Sequence, residues 1–148
     1  MSTEYSHEFN SLLAGEISAV ETYDLALKRE YGAEFLEDLS KCRASHADRV
    51  AILTECVLEA GGKPNEGSGI WGAFEKLVQN SASTIHDALA QLELLEAERL
   101  VQYEKARTIV PQPVLQVIDA SLLPAQHETH LIISMALKDL TPEPTATE

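Results

Sequence analysis

Four ionisable side chains fall where an apolar core is expected, and they carry whatever chemistry this chain can do. With about 100° of rotation per helical residue, Glu16 lies at the centre of a stripe made by Phe9, Leu12, Val20, Tyr23 and Leu27. Glu96 sits likewise among Ile85, Leu89, Leu92, Leu100 and Tyr103, and His46 among Phe35, Leu39, Cys42, Val50, Leu53 and Val57. His130 is flanked by Leu123 and Leu137, with Gln126 and His127 close by, so its stripe is more polar. A buried, unpaired carboxylate is costly, so each must be protonated, paired or bound to a metal. In one arrangement Glu16, His46, Glu96 and His130 converge on a metal ion, Tyr23 and Tyr103 donate from behind, and His127 and Glu93 are additional ligands. Carboxylate and imidazole suit iron, manganese or zinc. In the other, the same groups satisfy one another through Glu to His hydrogen bonds and coordinate nothing.

The elements that must position these groups are read from sparse punctuation: Gly32, the glycine-rich run from Gly61 to Gly69, Pro111 and Pro113, and a Pro- and Thr-containing tail. The residues between are mostly helix formers. Helices are expected over 6–31, 33–60, 83–108 and 113–140, with a short helical piece around 71–79 that contains Trp71 and caps one end. Pro124 predicts a local kink in the last helix, and 141–148 should be disordered. Four long helices with short connections describe an all-α, antiparallel four-helix bundle. An offset of 80 residues pairs Leu12 with Leu92, Glu16 with Glu96, Tyr23 with Tyr103 and Ala26 with Ala106. A weaker match sets Ser45-His46 against Thr129-His130, so the chain reads as two helix-pair repeats.

Composition bounds the function classes. The 148 residues hold 11 Lys+Arg against 24 Asp+Glu, a formal charge of −13. Such a surface repels phosphate backbones and anionic lipid, which argues against nucleic-acid and membrane partners. No apolar run is long enough for a transmembrane helix and no signal peptide is read, so a cytoplasmic location is the default. Cys42 and Cys56 fall on one helix, roughly 21 Å apart at about 1.5 Å per residue, too far to pair. His7, His86 and Glu128 read as solvated.

The segment from Leu12 to Tyr23, with its inward Glu16 and a Tyr seven residues on, resembles the first helix of rubrerythrin-type ferritin-like proteins. Glu93-Leu94-Leu95-Glu96 followed by Tyr103 is similar to that family's third helix. Glu59-Ala60-Gly61-Gly62-Lys63-Pro64 after a His-bearing helix resembles a set of uncharacterised bacterial proteins within the group. The resemblance covers about residues 6–140 and implies a di-iron carboxylate centre: a Glu from each of two helices and Glu-x-x-His from each of the other two. The chain departs from it where Arg43-Ala44-Ser45-His46 and His127-Glu128-Thr129-His130 stand in place of Glu-x-x-His. Arg43 would repel a cation; pointing inward it would pair with Glu16 or Glu96 and fill the metal's space, and pointing outward it would leave room for one ion. Two functions follow. One is an oxidoreductase handling iron or peroxide at a reduced or degenerate site, with its electron donor another protein. The other is a non-catalytic structural or interaction bundle, possible also as a homodimer, with an internal salt-bridge network in place of metal.

Overall fold

The computed structural model of the chain describes residues 4–28, 35–68 and 84–140. The turn expected at Gly32, the short helix around 71–79 with Trp71, and the tail 141–148 lie outside the described residues. Among the described residues all regular structure is helical: α1 (Glu4–Lys28), α2 (Leu36–Glu59), α3 (Ile85–Arg107), α4 (Gln112–Val117), a π-helical turn (Ile118–Leu122) and α5 (Leu123–Leu140). The last three run on from one another as the fourth rod of a helical bundle. No described helix is long and apolar enough to cross a membrane.

Local chemistry sets the ends. Gly61, at φ 80°, takes the left-handed conformation that glycine adopts without strain. Its N–H donates to Leu58 O and that of Gly62 to Val57 O, the paired bonds that close a helix C-terminus. Thr84 opens α3 by accepting from the Asp87 N–H at 3.1 Å. The glycine-rich loop is then held to α1: Asn10 Nδ2 donates to Lys63 O, while Asn65 donates to Asn10 Oδ1 and, through its side chain, to Asn10 O. The disturbance expected from Pro124 takes the form of the π-helical turn just before it, where Leu123 N–H reaches back to Ile118 O. Proline has no N–H for the carbonyl one turn earlier and its ring crowds that carbonyl; a widened turn relieves both.

α1 packs chiefly on α2 and α3 chiefly on α5, and contacts of α1 with α3 and of α2 with α5 close the bundle. The interior is split in two. One apolar cluster holds Phe9, Leu12, Leu13, Leu53, Val57, Tyr103, Ile118 and Leu122. The other holds Ala19, Tyr23, Leu39, Cys42, Leu89, Leu92, Ile133 and Ala136. Between them on every rod lie buried polar residues: Glu16 on α1, His46 and Arg49 on α2, Glu96 and Arg99 on α3, Gln126 and Thr129 on α5.

Candidate functional site: a charged layer across the bundle

His46 is the centre of this layer. Its Nδ1 meets Glu16 Oε1 and its Nε2 meets Glu96 Oε2 at 2.7 Å, with all three side chains wholly buried. Hydrogen bonds on both sides require a hydrogen on both nitrogens, which is the imidazolium form. Burial opposes that charge, but the two flanking carboxylates outweigh it and hold the His46 pKa above its ordinary 6.5. Burial also opposes ionisation of Glu16 and Glu96; His46, joined at Glu16 by Arg49 and Arg99, outweighs it and keeps both carboxyl groups below the ordinary range.

Two guanidiniums complete the layer, and both are among the most deeply buried side chains of the protein, at 1% exposure for Arg49 and 0% for Arg99. Arg49 Nη1 lies 3.3 Å from Glu16 Oε2 and also donates to Gln126 Oε1; its Nη2 donates to Thr129 Oγ1 at 3.0 Å. Arg99 Nη2 donates to Glu16 Oε2 at 3.2 Å and to Leu12 O at 2.9 Å, with its guanidinium 5.1 Å from the centre of the Tyr103 ring. Glu96 Oε1 accepts from the Gln126 amide at 2.8 Å and the Thr129 hydroxyl at 2.7 Å. The tyrosines cross over. Tyr103, on α3, donates to Glu16 on α1, and Tyr23, on α1, donates to Glu96 on α3 at 2.6 Å while its ring stacks on His46. Burial and the carboxylate each tyrosine serves push both phenols above their ordinary pKa, so both remain donors.

The expected site residues therefore part company. Glu16, His46, Glu96, Tyr23 and Tyr103 come together as read. His130 does not join them: it is about one quarter exposed and bonds Glu93 Oε1 at 2.8 Å, while Ser134 donates to the other oxygen of Glu93. Both belong to the α3–α5 flank, about 100° round from Thr129. The inward face of α5 is Gln126, Thr129, Ile133 and Ala136, not the Leu123, His130 and Leu137 face. His127 is exposed, as are His7, His86 and Glu128. Arg43 turns outward and pairs with Asp24 at 2.9 Å, so the cations that fill the interior are Arg49 and Arg99 instead.

The missed arginines had a signal. Each lies three residues after an inward polar group, His46 or Glu96, hence only about 60° from it on the helix. Gly15, mid-helix and costly there by about 1 kcal/mol relative to Ala, marks the close approach. A Cβ at that position would stand 1.9 Å from Arg99 Nη1 and 2.6 Å from its Cζ. The repeat also sharpens. The offset of 80 that relates α1 to α3 carries through α2 and the fourth rod, pairing His46 with Gln126, Arg49 with Thr129, Leu53 with Ile133 and Cys42 with Leu122, every one buried. It replaces the weaker match of Ser45-His46 with Thr129-His130.

The donor set does not fit the di-iron centre that the ferritin-like resemblance implies. Each oxygen of Glu16 and Glu96 already accepts from at least one donor of this chain, and two permanent cations stand against or near those oxygens. Among the described residues no three His, Cys, Asp or Glu side chains form a group that could hold a metal ion. Burial, with Glu96 nearby, raises the Cys42 thiol to about 12. Two surface cavities of about 210 and 200 Å³, one lined by Tyr5, Phe9, Cys56 and Val117 and the other by Ile17, Val20 and Val50, include none of the layer's side chains. No protein-family model, curated protein or solved structure matches the chain.

Proposed function

We propose that the chain is a ferritin-like four-helix bundle in which a network of guanidinium, imidazolium and carboxylate groups replaces the metal centre. It works as a structural or protein-interaction module rather than as an iron- or peroxide-handling oxidoreductase. The observation that carries this reading is the saturation of Glu16 and Glu96 by donors of the same chain. A metal would have to expel the His46 proton and stand beside two guanidiniums that cannot deprotonate.

The order in which the helices cross the layer supports the ferritin-like part. α1 and the fourth rod run from the Phe9 cluster to the Tyr23 cluster, and α2 and α3 run the other way. Partners α1 with α2 and α3 with α5 are then antiparallel, while α2 and α3 share a direction. That order requires one long crossover between α2 and α3, the connection that distinguishes ferritin-like bundles from simple up-down ones. The described start of this connection agrees with it, since Gly62 lies against Ser6 and Asn65 against Asn10, one turn further along α1. An interaction role is supported by Leu94 and Val101 on α3 and Leu131 and Met135 on α5, each more than half exposed.

Metal analysis of protein purified without chelator tests the reading. No metal above background is expected, with no change in thermal stability on adding iron, manganese or zinc. A stoichiometric ion lost in Glu16→Ala and His46→Ala variants would overturn it.

A further inference from the structure

We infer that the solvent face of α3 is the surface by which two copies of this chain pair, antiparallel and about a two-fold axis. The inference rests on the interaction reading above and names the partner as a second copy of the chain. Ala90, Leu94, Ala97 and Val101 stand at i, i+4, i+7 and i+11. They fall within about 30° of one line, which points about 130° away from Glu96 and the interior. Leu94 and Val101 are each 58% exposed, and Ala90 and Ala97 are partly exposed. Single apolar residues on a surface are ordinary, but these line up, and alternating steps of four and three residues are those of a seam that packs on another helix.

The order of residues along the seam selects the partner. Leu94 and Ala97 are equidistant from a point between Leu95 and Glu96, and so are Ala90 and Val101. In an antiparallel pair centred there, Leu94 lies over Ala97 of the second copy and Val101 over Ala90 of the second copy. A large side chain meets a small one at every step, so the helices can approach and interdigitate. The charges at the edges agree. About 50° to one side of the seam stand Asp87 and Lys105, and about 50° to the other stand His86 and Glu104. Each of these pairs straddles the same centre to within one residue. Asp87 therefore faces Lys105 of the second copy and His86 faces Glu104 of the second copy, and each contact is made twice, as an isologous interface requires. A partner helix of one sign would meet that same sign at Asp87 and Glu104 if acidic, or at Lys105 if basic. One helix on one helix buries less than the about 1,200 Å² at which specific, stable interfaces begin, so the dimer is weak and depends on concentration.

Sedimentation equilibrium over roughly 1 µM to 1 mM protein is the test. The chain is expected to pass from its 16.2 kDa monomer towards twice that mass as concentration rises. Leu94→Glu is expected to weaken the dimer by roughly tenfold or more, since the change enters the seam twice. Leu58→Glu, at a similarly exposed leucine on α2, is expected to leave it unchanged. Asp87→Lys and Lys105→Glu are each expected to weaken it roughly tenfold, and an equal mixture of these two variants to recover dimers, because each then faces the opposite charge. A parent monomeric throughout overturns the inference, as do dimers that survive Leu94→Glu and charge variants whose mixture stays monomeric. Should Leu94→Glu lose its helical circular dichroism, the charge variants and their mixture decide. A monomeric parent leaves the metal-free bundle standing, which metal analysis tests by itself.

Discussion

Replacing Glu16 by Gln removes one negative charge and almost no volume. The lost carboxylate is the one that His46, Arg49, Arg99 and Tyr103 all address. The layer as built sets two carboxylates against two guanidiniums and one imidazolium, leaving one excess positive charge in the interior. In the Glu16→Gln variant the excess rises to two if His46 stays protonated, and the amide can accept through only one of its two end atoms. Breaking a buried ion pair by removing one partner costs about 3–5 kcal/mol, because the remaining charge stays buried. Single domains are stable by only about 5–15 kcal/mol in total, so Glu16→Gln consumes a large part of it. For about 150 residues the loss corresponds to a fall in melting temperature of roughly 6–20 °C. Urea unfolding followed by circular dichroism, near pH 7 and again near pH 4, measures it. A carboxyl group held below its ordinary 4.5 contributes stability above pH 4.5 and loses it as the pH falls through the folded value. The difference between parent and variant should therefore narrow on acidification. A loss under about 1 kcal/mol at pH 7, or a difference independent of pH, would refute the assignment of Glu16 as the ionised hub.

Gly15→Ala, which ordinarily gains about 0.5–1 kcal/mol in a helix, should here lose about 1–3 kcal/mol by displacing Arg99. Pairing it with Arg99→Ala should cost less than the two changes summed, as a double-mutant cycle in urea would read. The raised His46 pKa predicts that the stability His46 contributes is fully present below pH 6.5 and is lost as the pH rises through the folded value, with a slope of up to about 1.4 kcal/mol per pH unit; His46→Gln should flatten that alkaline limb. Arg43→Ala should change the unfolding free energy by less than about 1 kcal/mol, because its partnership with Asp24 is a half-exposed pair. Burial and the nearby Glu59 and Glu55 raise Cys56 to about 11 and Cys42 stands near 12, so iodoacetamide at pH 8 should modify the folded protein far more slowly than the urea-unfolded chain.

Helical periodicity was enough to place Glu16, His46 and Glu96 inside, because each is ringed at i±4 and i±7 by large apolar residues that leave one face only. It failed on the last helix, where Leu123, Leu131, Met135 and Leu137 crowd the outer and flanking faces as densely as Ile133 and Ala136 mark the inner one. Small and polar side chains such as Ala136, Thr129 and Gln126 give little hydrophobic contrast, so His130 looked central when Thr129 is. Arg49 and Arg99 give only a weak signal, for a different reason. A long cation about 60° from a stripe ordinarily extends to solvent, and contacts across the bundle hold these two inward, with Glu16, Gln126 and Thr129 for Arg49 and with Glu16 and Leu12 for Arg99. Arg43, equally close to the same stripe, has Asp24 outside to receive it and goes there. The direction of each arginine was decided by its partner on another helix, information that no single-helix pattern contains.

The crossed tyrosines carry a consequence for how the chain assembles. Neither helical hairpin can complete its own carboxylate: the α1–α2 half relies on Tyr103 from the α3–α5 half, and the latter relies on Tyr23 in return. A half-chain folded by itself would keep the donors to its carboxylate from its own two helices but lack the tyrosine, and its own phenol would be idle. Expressed separately, the two halves should find each other before either finds stability, and partial unfolding that peels one hairpin away should strip the other of its closure in the same event.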